Sequence, residues 1–377
     1  MLPKKPTVTP WNPKPFLPFL SILEHMRFLL LSHIFPPAID GGSSHLYSIG
    51  KCLEKHKHQV FYVSSNSQSS DDFIGPRIFK LIHPILSKGP IFKPLPFLRI
   101  LSTIRRFQPD YIIAGPFPTT ISLYARFIQK ITQAKLILVP CFHPTDSLFS
   151  HSSLIETLRQ ANYILTLTDF EKKYLSTHFN IDSQKLKIIP SGIPSALLKK
   201  TPATFPHKPN VLYIGSFSAH KGINALIRSI PQNCTLTLAG QKTLYWPQIK
   251  KQIKSLPTPI QKNIKTIFNF PSSRLPQIID SCTCLVLPST QESFGKVLLE
   301  AWARKKPVIV KNTPAPVELV NRSRGGLVVK NNLRQSILKL INNPSLCRRL
   351  GQNGYHFVKK NHTWDRIGQH ICQKLSL

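Results

Sequence analysis

Two carboxylates eight residues apart, Glu292 and Glu300, bracket the segment Glu-Ser-Phe-Gly-Lys-Val-Leu-Leu-Glu, which follows the apolar run Cys284–Pro288. The pattern predicts a short strand, a loop of Ser289, Thr290 and Gln291, and an amphipathic helix continuing through Ala301, Trp302 and Ala303. A helix that starts at a strand's end presents unpaired backbone N–H groups and partial positive charge, a setting that suits phosphate. Gly295 lets a ligand approach the backbone closely. About two helical turns separate the carboxylates, so Glu292 is expected at the mouth and Glu300 further along a similar face. Two hydroxyl acceptors beside a phosphate-seeking helix end are what a nucleotide sugar requires. Two glutamates opening and lining a solvated helix are the plainer reading of the same spacing.

Three other places carry residues suited to such a ligand. The strand pattern Asn210–Gly215 runs into Ser216-Phe-Ser-Ala-His-Lys221-Gly222, and a lysine just before a helix start can set a point charge on a diphosphate. Asp40-Gly41-Gly42-Ser-Ser44 follows the apolar run Met26–Ser32 and opens a helix to about Lys55, a strand, glycine loop and helix that brings amides up to phosphate. A plain turn would use the same two glycines. His143 lies in Cys141–Asp146, directly after the strand pattern Lys135–Pro140; the carboxyl ends of parallel strands are where ligands bind, although a single histidine is more often structural.

The elements that position these residues alternate between strand and helix twice along the chain. Two doubly wound parallel α/β sheets of Rossmann type, facing across a cleft, are the fold expected. Residues 1–25, with six prolines, read as an irregular extension, and Met26 is a candidate for the natural start. Residues 26–200 form the expected first domain, 201–345 the second, and 346–377 closing helices of which the last, Trp364–Leu375, returns to the first domain. The stretch 195–208, rich in lysine and proline, has the composition of an interdomain linker.

The net charge is +34, from 50 Lys and Arg against 16 Asp and Glu in 377 residues, a field that attracts nucleic acid, anionic lipid or phosphorylated substrates. It is spread over the chain, and no nucleic-acid-binding module accompanies it, so nucleic acid is not expected as a partner. Between Phe73 and Phe107 seven basic residues and five phenylalanines occur without an acid, a composition that suits an anionic membrane surface and equally a loop and helix packed on the sheet. No apolar run has the length of a membrane span and no signal-peptide pattern opens the chain. Seven cysteines without a CxxC pair indicate a reducing compartment. The location expected is cytoplasmic, with a peripheral place at the inner face of the membrane left open.

Preceded by Leu287-Pro288-Ser289 and containing Ser293-Phe294-Gly295, the Glu292 to Glu300 segment resembles the Glu-x7-Glu motif of the large retaining glycosyltransferase family 4, which has the GT-B fold. The resemblance covers residues 26 to 377 and is strongest from Val211 to Val329. It implies that Glu292 contacts donor-sugar hydroxyls, Glu300 the ribose hydroxyls, and the backbone of Phe294, Gly295, Lys296 and Val297 the sugar and diphosphate. Gly41 and Gly42 would lie by the donor phosphates, and His143 would point at the reacting sugar. Gly215 to Gly222 is similar to the family's Gly-Arg-x4-Lys-Gly: Lys221 is kept, whereas the arginine position holds Ser216, and Lys296 is a candidate substitute. Further departures are Lys242 for a glycine, Lys305 before Lys306-Pro307, and Asn312-Thr-Pro-Ala-Pro316, expected as a stiff loop. The activity implied is retaining, metal-independent transfer from a nucleotide-diphosphate sugar to a hydroxyl of a lipid or glycan, without cofactor. No Asp-x-Asp metal motif is present. A nucleotide-sugar-binding relative without transfer activity and a polyanion-binding protein are the rival readings.

Overall fold

The computed structural model describes residues 25–33, 35, 41–64, 78–80, 94–119, 121–141, 151–201, 203–329 and 332–375, with backbone alone at 78–80 and 94–99. His143, the Pro-rich opening stretch and most of the basic, phenylalanine-rich stretch lie outside the described residues.

The first sheet has seven strands: β1 (Arg27–Ser32), β2 (Gln59–Ser64), β3 (Ile78–Lys80), β4 (Tyr111–Phe117), β5 (Lys135–Pro140), β6 (Tyr163–Thr166) and β7 (Leu186–Ile188). Their spatial order is β3-β2-β1-β4-β5-β6-β7 and every pairing is parallel. Buried apolar runs such as Leu29, Leu30 and Leu31 reflect a sheet covered on both faces. The crossover helices are α1 (Gly41–Lys55), α2 (Pro94–Phe107), α3 (Ile121–Thr132), α4 (Ser152–Gln160) and α5 (Asp169–Phe179).

The second sheet runs β10-β9-β8-β11-β12-β13, again all parallel, from β8 (Asn210–Ile214), β9 (Thr235–Gly240), β10 (Ile264–Phe268), β11 (Cys284–Leu287), β12 (Val308–Lys311) and β13 (Gly326–Val329). Its helices are α6 (Ile223–Ser229), α7 (Trp246–Lys254), α8 (Thr258–Gln261), α9 (Leu275–Asp280), α10 (Lys296–Ala303), α11 (Pro314–Ser323) and α12 (Leu333–Ile341). Then follow α13 (Pro344–Asn361) and α14 (Trp364–Leu375). Strand order reverses direction between β1 and β4 in one sheet and between β8 and β11 in the other, the crevices where such sheets bind ligands.

Helix α14 places Ile367, Ile371 and Leu375 in the core of the first sheet, beside Leu30, Ile49 and Leu165. The stretch 195–208 is fastened to the second lobe. Lys306, fully buried, donates through Nζ to the carbonyls of Thr204, Asp280 (2.9 Å) and Cys282 (2.6 Å) and lies 4.7 Å over the Phe205 ring. Lys305 sits at φ 58°, a left-handed conformation that explains why glycine suits this position.

Two local expectations are corrected. The segment Asn312–Pro316 is not a stiff loop: Pro314 and Pro316 open α11, where a missing N–H costs nothing because first-turn amides lack helical acceptors. The helix of the Glu-x7-Glu segment begins at Lys296, not near Glu292, because Gly295 at φ 89° precedes it as a left-handed N-cap. Glu292 is therefore a loop residue.

Candidate active site

The second lobe brings three pieces together at the carboxyl ends of β8 and β11. Gly222 has φ 68°, and a Cβ there would lie 2.2 Å from the carbonyl oxygen of Pro288, so only glycine allows the loop after β8 to meet the exit of β11. The Thr290 amide and hydroxyl both donate to the His220 carbonyl, at 2.8 and 3.0 Å, and the Thr313 hydroxyl donates to the Ser289 carbonyl at 2.6 Å. These bonds hold Lys221 and Glu292 in contact. Lys221 Nζ donates to Glu292 Oε2 at 2.8 Å, with side chains only 17% and 13% exposed.

Beside this pair, α10 starts without a side-chain cap, and the Leu298 amide of its first turn donates to the Gly295 carbonyl at 2.8 Å. Phe294 is buried in the core of the second lobe, its ring 6.0 Å from that of His362. Val297 and Lys296 are half-buried. Glu300, one turn into α10, has its carboxyl raised above the usual range by burial, an effect opposed by the charge of Lys296. Gly215 follows β8; Ser216 accepts through its carbonyl a 2.8 Å bond from the Tyr213 hydroxyl, and its own hydroxyl lies 3.3 Å from that of Ser218. No cation stands at position 216.

On the first lobe, Gly41 and Gly42 form the first turn of α1 rather than a loop ahead of it. A Cβ on Gly42 would meet Cys141 Sγ at 2.9 Å and Pro116 Cβ at 3.1 Å, so the helix start lies against the ends of β4 and β5. One further residue belongs to this region: His45. It is 3% exposed, neither ring nitrogen has a hydrogen-bond partner, and its ring lies 5.6 Å from Trp364. Burial, and then the charge of Lys296 from the other lobe, lower its pKa to about 3. Lys296 therefore acts electrostatically on both Glu300 and His45, linking the start of α10 to that of α1. The sequence carried a signal for this, since His45 shares the helix stripe of Ile49 and Cys52, all buried.

The lobes meet again at α5 and α11. Glu318 accepts from the amides of Asp169 (3.1 Å) and Phe170 (3.0 Å), placing a carboxylate of the second lobe on the helix N-terminus of the first. Arg322 lies 3.3 Å from Asp169 and 3.5 Å from Glu318. Thr168 caps α5 by accepting from the Glu171 amide, while Glu171 accepts from the Leu167 amide. Among the described residues no group of three or more His, Cys, Asp or Glu is placed to hold a metal ion.

Two family models match adjoining parts of the chain: Glycosyltransferase Family 4 over residues 39–197 and Glycosyl transferases group 1 over residues 197–357. The chain is a GT-B glycosyltransferase of the group 1/family 4 type. This glycosyltransferase is 32% identical over 164 residues to an uncharacterized glycosyltransferase of Methanocaldococcus jannaschii, a match covering 41% of this chain and 44% of that protein. It is 24% identical over 248 residues to the O-antigen chain mannosyltransferase B of Escherichia coli, covering 60% of this chain and 63% of that one. Its fold is shared with sucrose-phosphate synthase of Thermosynechococcus elongatus, with TM-score 0.77 and 18% identity over 93% of this chain and 98% of the other. It is shared too with HepE of Anabaena in complex with UDP and glucose, with TM-score 0.74 and 18% identity over 93% and 100%. No helix among the described residues is long and apolar enough to cross a membrane.

Proposed function

We propose that this glycosyltransferase moves a sugar from a nucleotide-diphosphate donor to a hydroxyl of a lipid or glycan, keeping the anomeric configuration and using no metal. The observation that carries this reading is the meeting of Lys221, Glu292 and the uncapped start of α10 at one strand-end crevice. The donor class is supported by HepE, a neighbour in fold crystallised with UDP and with UDP-glucose.

As the bond between sugar and phosphate breaks, negative charge grows on the departing diphosphate. Lys221 and the first amides of α10 are fixed before the reaction begins, so they stabilise that charge without reorganising. Glu292 accepts from Lys221 and, with its other oxygen, from donor-sugar hydroxyls. A carboxylate neutralised in this way is a poor nucleophile, which favours holding the sugar over attacking it. With retention, the acceptor hydroxyl approaches from the side the phosphate leaves, and the departing phosphate oxygen takes its proton. Glu300 receives the ribose hydroxyls, and Lys296 supplies the second positive charge that Ser216 does not. Gly41 and Gly42 bring the start of α1 to the phosphates.

Incubation with a panel of nucleotide sugars and with lipid extracts as acceptors, followed by NMR of the product's anomeric proton, tests this. A glycosylated acceptor of the donor's own configuration is expected. Inverted product would end the retaining assignment, and donor binding without any transfer would favour a binding protein.

A further inference from the structure

A second cavity of about 460 Å³ lies where β6, β7, α11, the end of α13 and α14 converge. Buried Phe294, from the segment that precedes α10, is among its lining residues. Arg366, His370 and Lys374 line it from α14 at i, i+4 and i+8, one face of the helix, while Ile367, Ile371 and Leu375 alongside anchor that helix in the first core. Lys360 enters from α13 and Arg322 from α11. Among the described residues the side chains of Lys360, Arg366, His370 and Lys374 have no ion-pair or hydrogen-bond partner. The two acids in the wall are occupied: both Glu318 oxygens accept amides of α5, and Asp169 faces Arg322. An adjoining cavity of about 300 Å³ shares Ile188 and Lys374 and adds Lys172 and Lys187.

Arg366 and Lys374 on α14, with Lys360 from α13, set several positive charges around one concave wall that concentrates their field. Such an arrangement is stabilised by a multivalent anion. We infer that this cavity is a second ligand site, separate from the donor crevice, that takes a phosphate- or pyrophosphate-bearing anion between the two lobes. Because α14 packs on the first sheet and α11 belongs to the second, a bound anion bridges both. The shared chemistry is a phosphate group, whether on a free metabolite or on a lipid headgroup.

The test titrates inorganic pyrophosphate into four proteins at one ionic strength: wild type, Arg366→Gln/Lys374→Gln, Lys221→Ala, and Lys250→Gln/Lys254→Gln as a charge-matched control on α7. Expected is a binding event weakened about tenfold or more in the α14 variant and kept in Lys221→Ala and in the control. Vesicles of neutral phospholipid, with and without an anionic phospholipid, then identify the source. Competition by anionic vesicles assigns a headgroup, and its absence with pyrophosphate binding intact assigns a soluble anion. Equal binding by wild type and the α14 variant, equal weakening in the control, or binding abolished by Lys221→Ala alone would each overturn the inference. The last result would place all anion binding in the donor crevice, whereas loss only in the α14 variant leaves the donor reading untouched.

Discussion

Lys221 Nζ and Glu292 Oε2 are 2.8 Å apart, from two loops that are distant in sequence and sewn together by the Thr290 to His220 bonds. The lysine that should grip a diphosphate is thus already paired, and a donor must share it with the carboxylate. Glu292→Gln removes that competition. It is expected to tighten binding of a nucleoside diphosphate severalfold while lowering turnover with the sugar donor, because the sugar loses a charged acceptor. Titration with the diphosphate and initial rates with the donor measure the two effects separately.

Ser216 offers a hydroxyl where its family carries a guanidinium. Replacing it by arginine adds one charge-assisted contact to the diphosphate, about 1.5 to 3 kcal/mol. Donor affinity in Ser216→Arg should rise at least about tenfold. Lys296→Ala should lower it by a comparable factor, and the added arginine should partly rescue Lys296→Ala if the two cations serve one anion. Isothermal titration of the four proteins checks this.

Glu318 ties the lobes by accepting two amides at the start of α5. In Glu318→Gln one oxygen becomes a donor facing an amide donor. A loss of about 1 to 3 kcal/mol in interlobe contact is expected. Calorimetry should show a lower first transition, and small-angle scattering a larger radius of gyration in the absence of donor. An unchanged thermogram would remove this contact from the forces that hold the lobes together.

His45 and His362 are buried and neutral, their pKa values lowered from 6.5 to about 3 and about 4 by burial. The unfolded chain binds these protons near pH 6.5 and the folded chain does not, so stability is fully present above that pH and falls as pH drops toward 4. The urea midpoint should therefore decline from pH 7 to pH 5. His362 has Nδ1 3.0 Å from the Ser191 carbonyl, to which it donates, whereas neither nitrogen of His45 has a partner. His45→Leu should flatten the decline and leave the midpoint at pH 7.5 equal or higher, since replacing an unsatisfied polar group by an apolar one removes a desolvation cost.

The alternation of strand and helix was readable because each strand is an apolar run and each helix an amphipathic stripe, both set by neighbours in sequence. Trp364–Leu375 was legible in full for that reason: Ile367, Ile371 and Leu375 repeat at helical spacing. The meeting of Lys221 with Glu292 could be expected only through family resemblance, as 71 residues separate them. Periodicity did not show that Gly295 delays the helix, since a left-handed N-cap leaves the apolar spacing unchanged; a Cβ there would meet Leu298 at 3.1 Å and Leu287 at 3.2 Å. Nor did it show that Pro314 begins a helix, because Asn-Thr-Pro-Ala-Pro reads equally as a loop. No spacing in the sequence marks Glu318, because its role exists only where the two lobes touch.

Thermal stabilisation by UDP-, GDP- and ADP-linked sugars, compared across wild type, Lys221→Ala and Glu300→Gln, tests the central claim most directly. At least one donor should raise the melting temperature of the wild type, and the rise should shrink in both variants. A donor that stabilises all three proteins equally would show that the nucleotide sugar binds elsewhere.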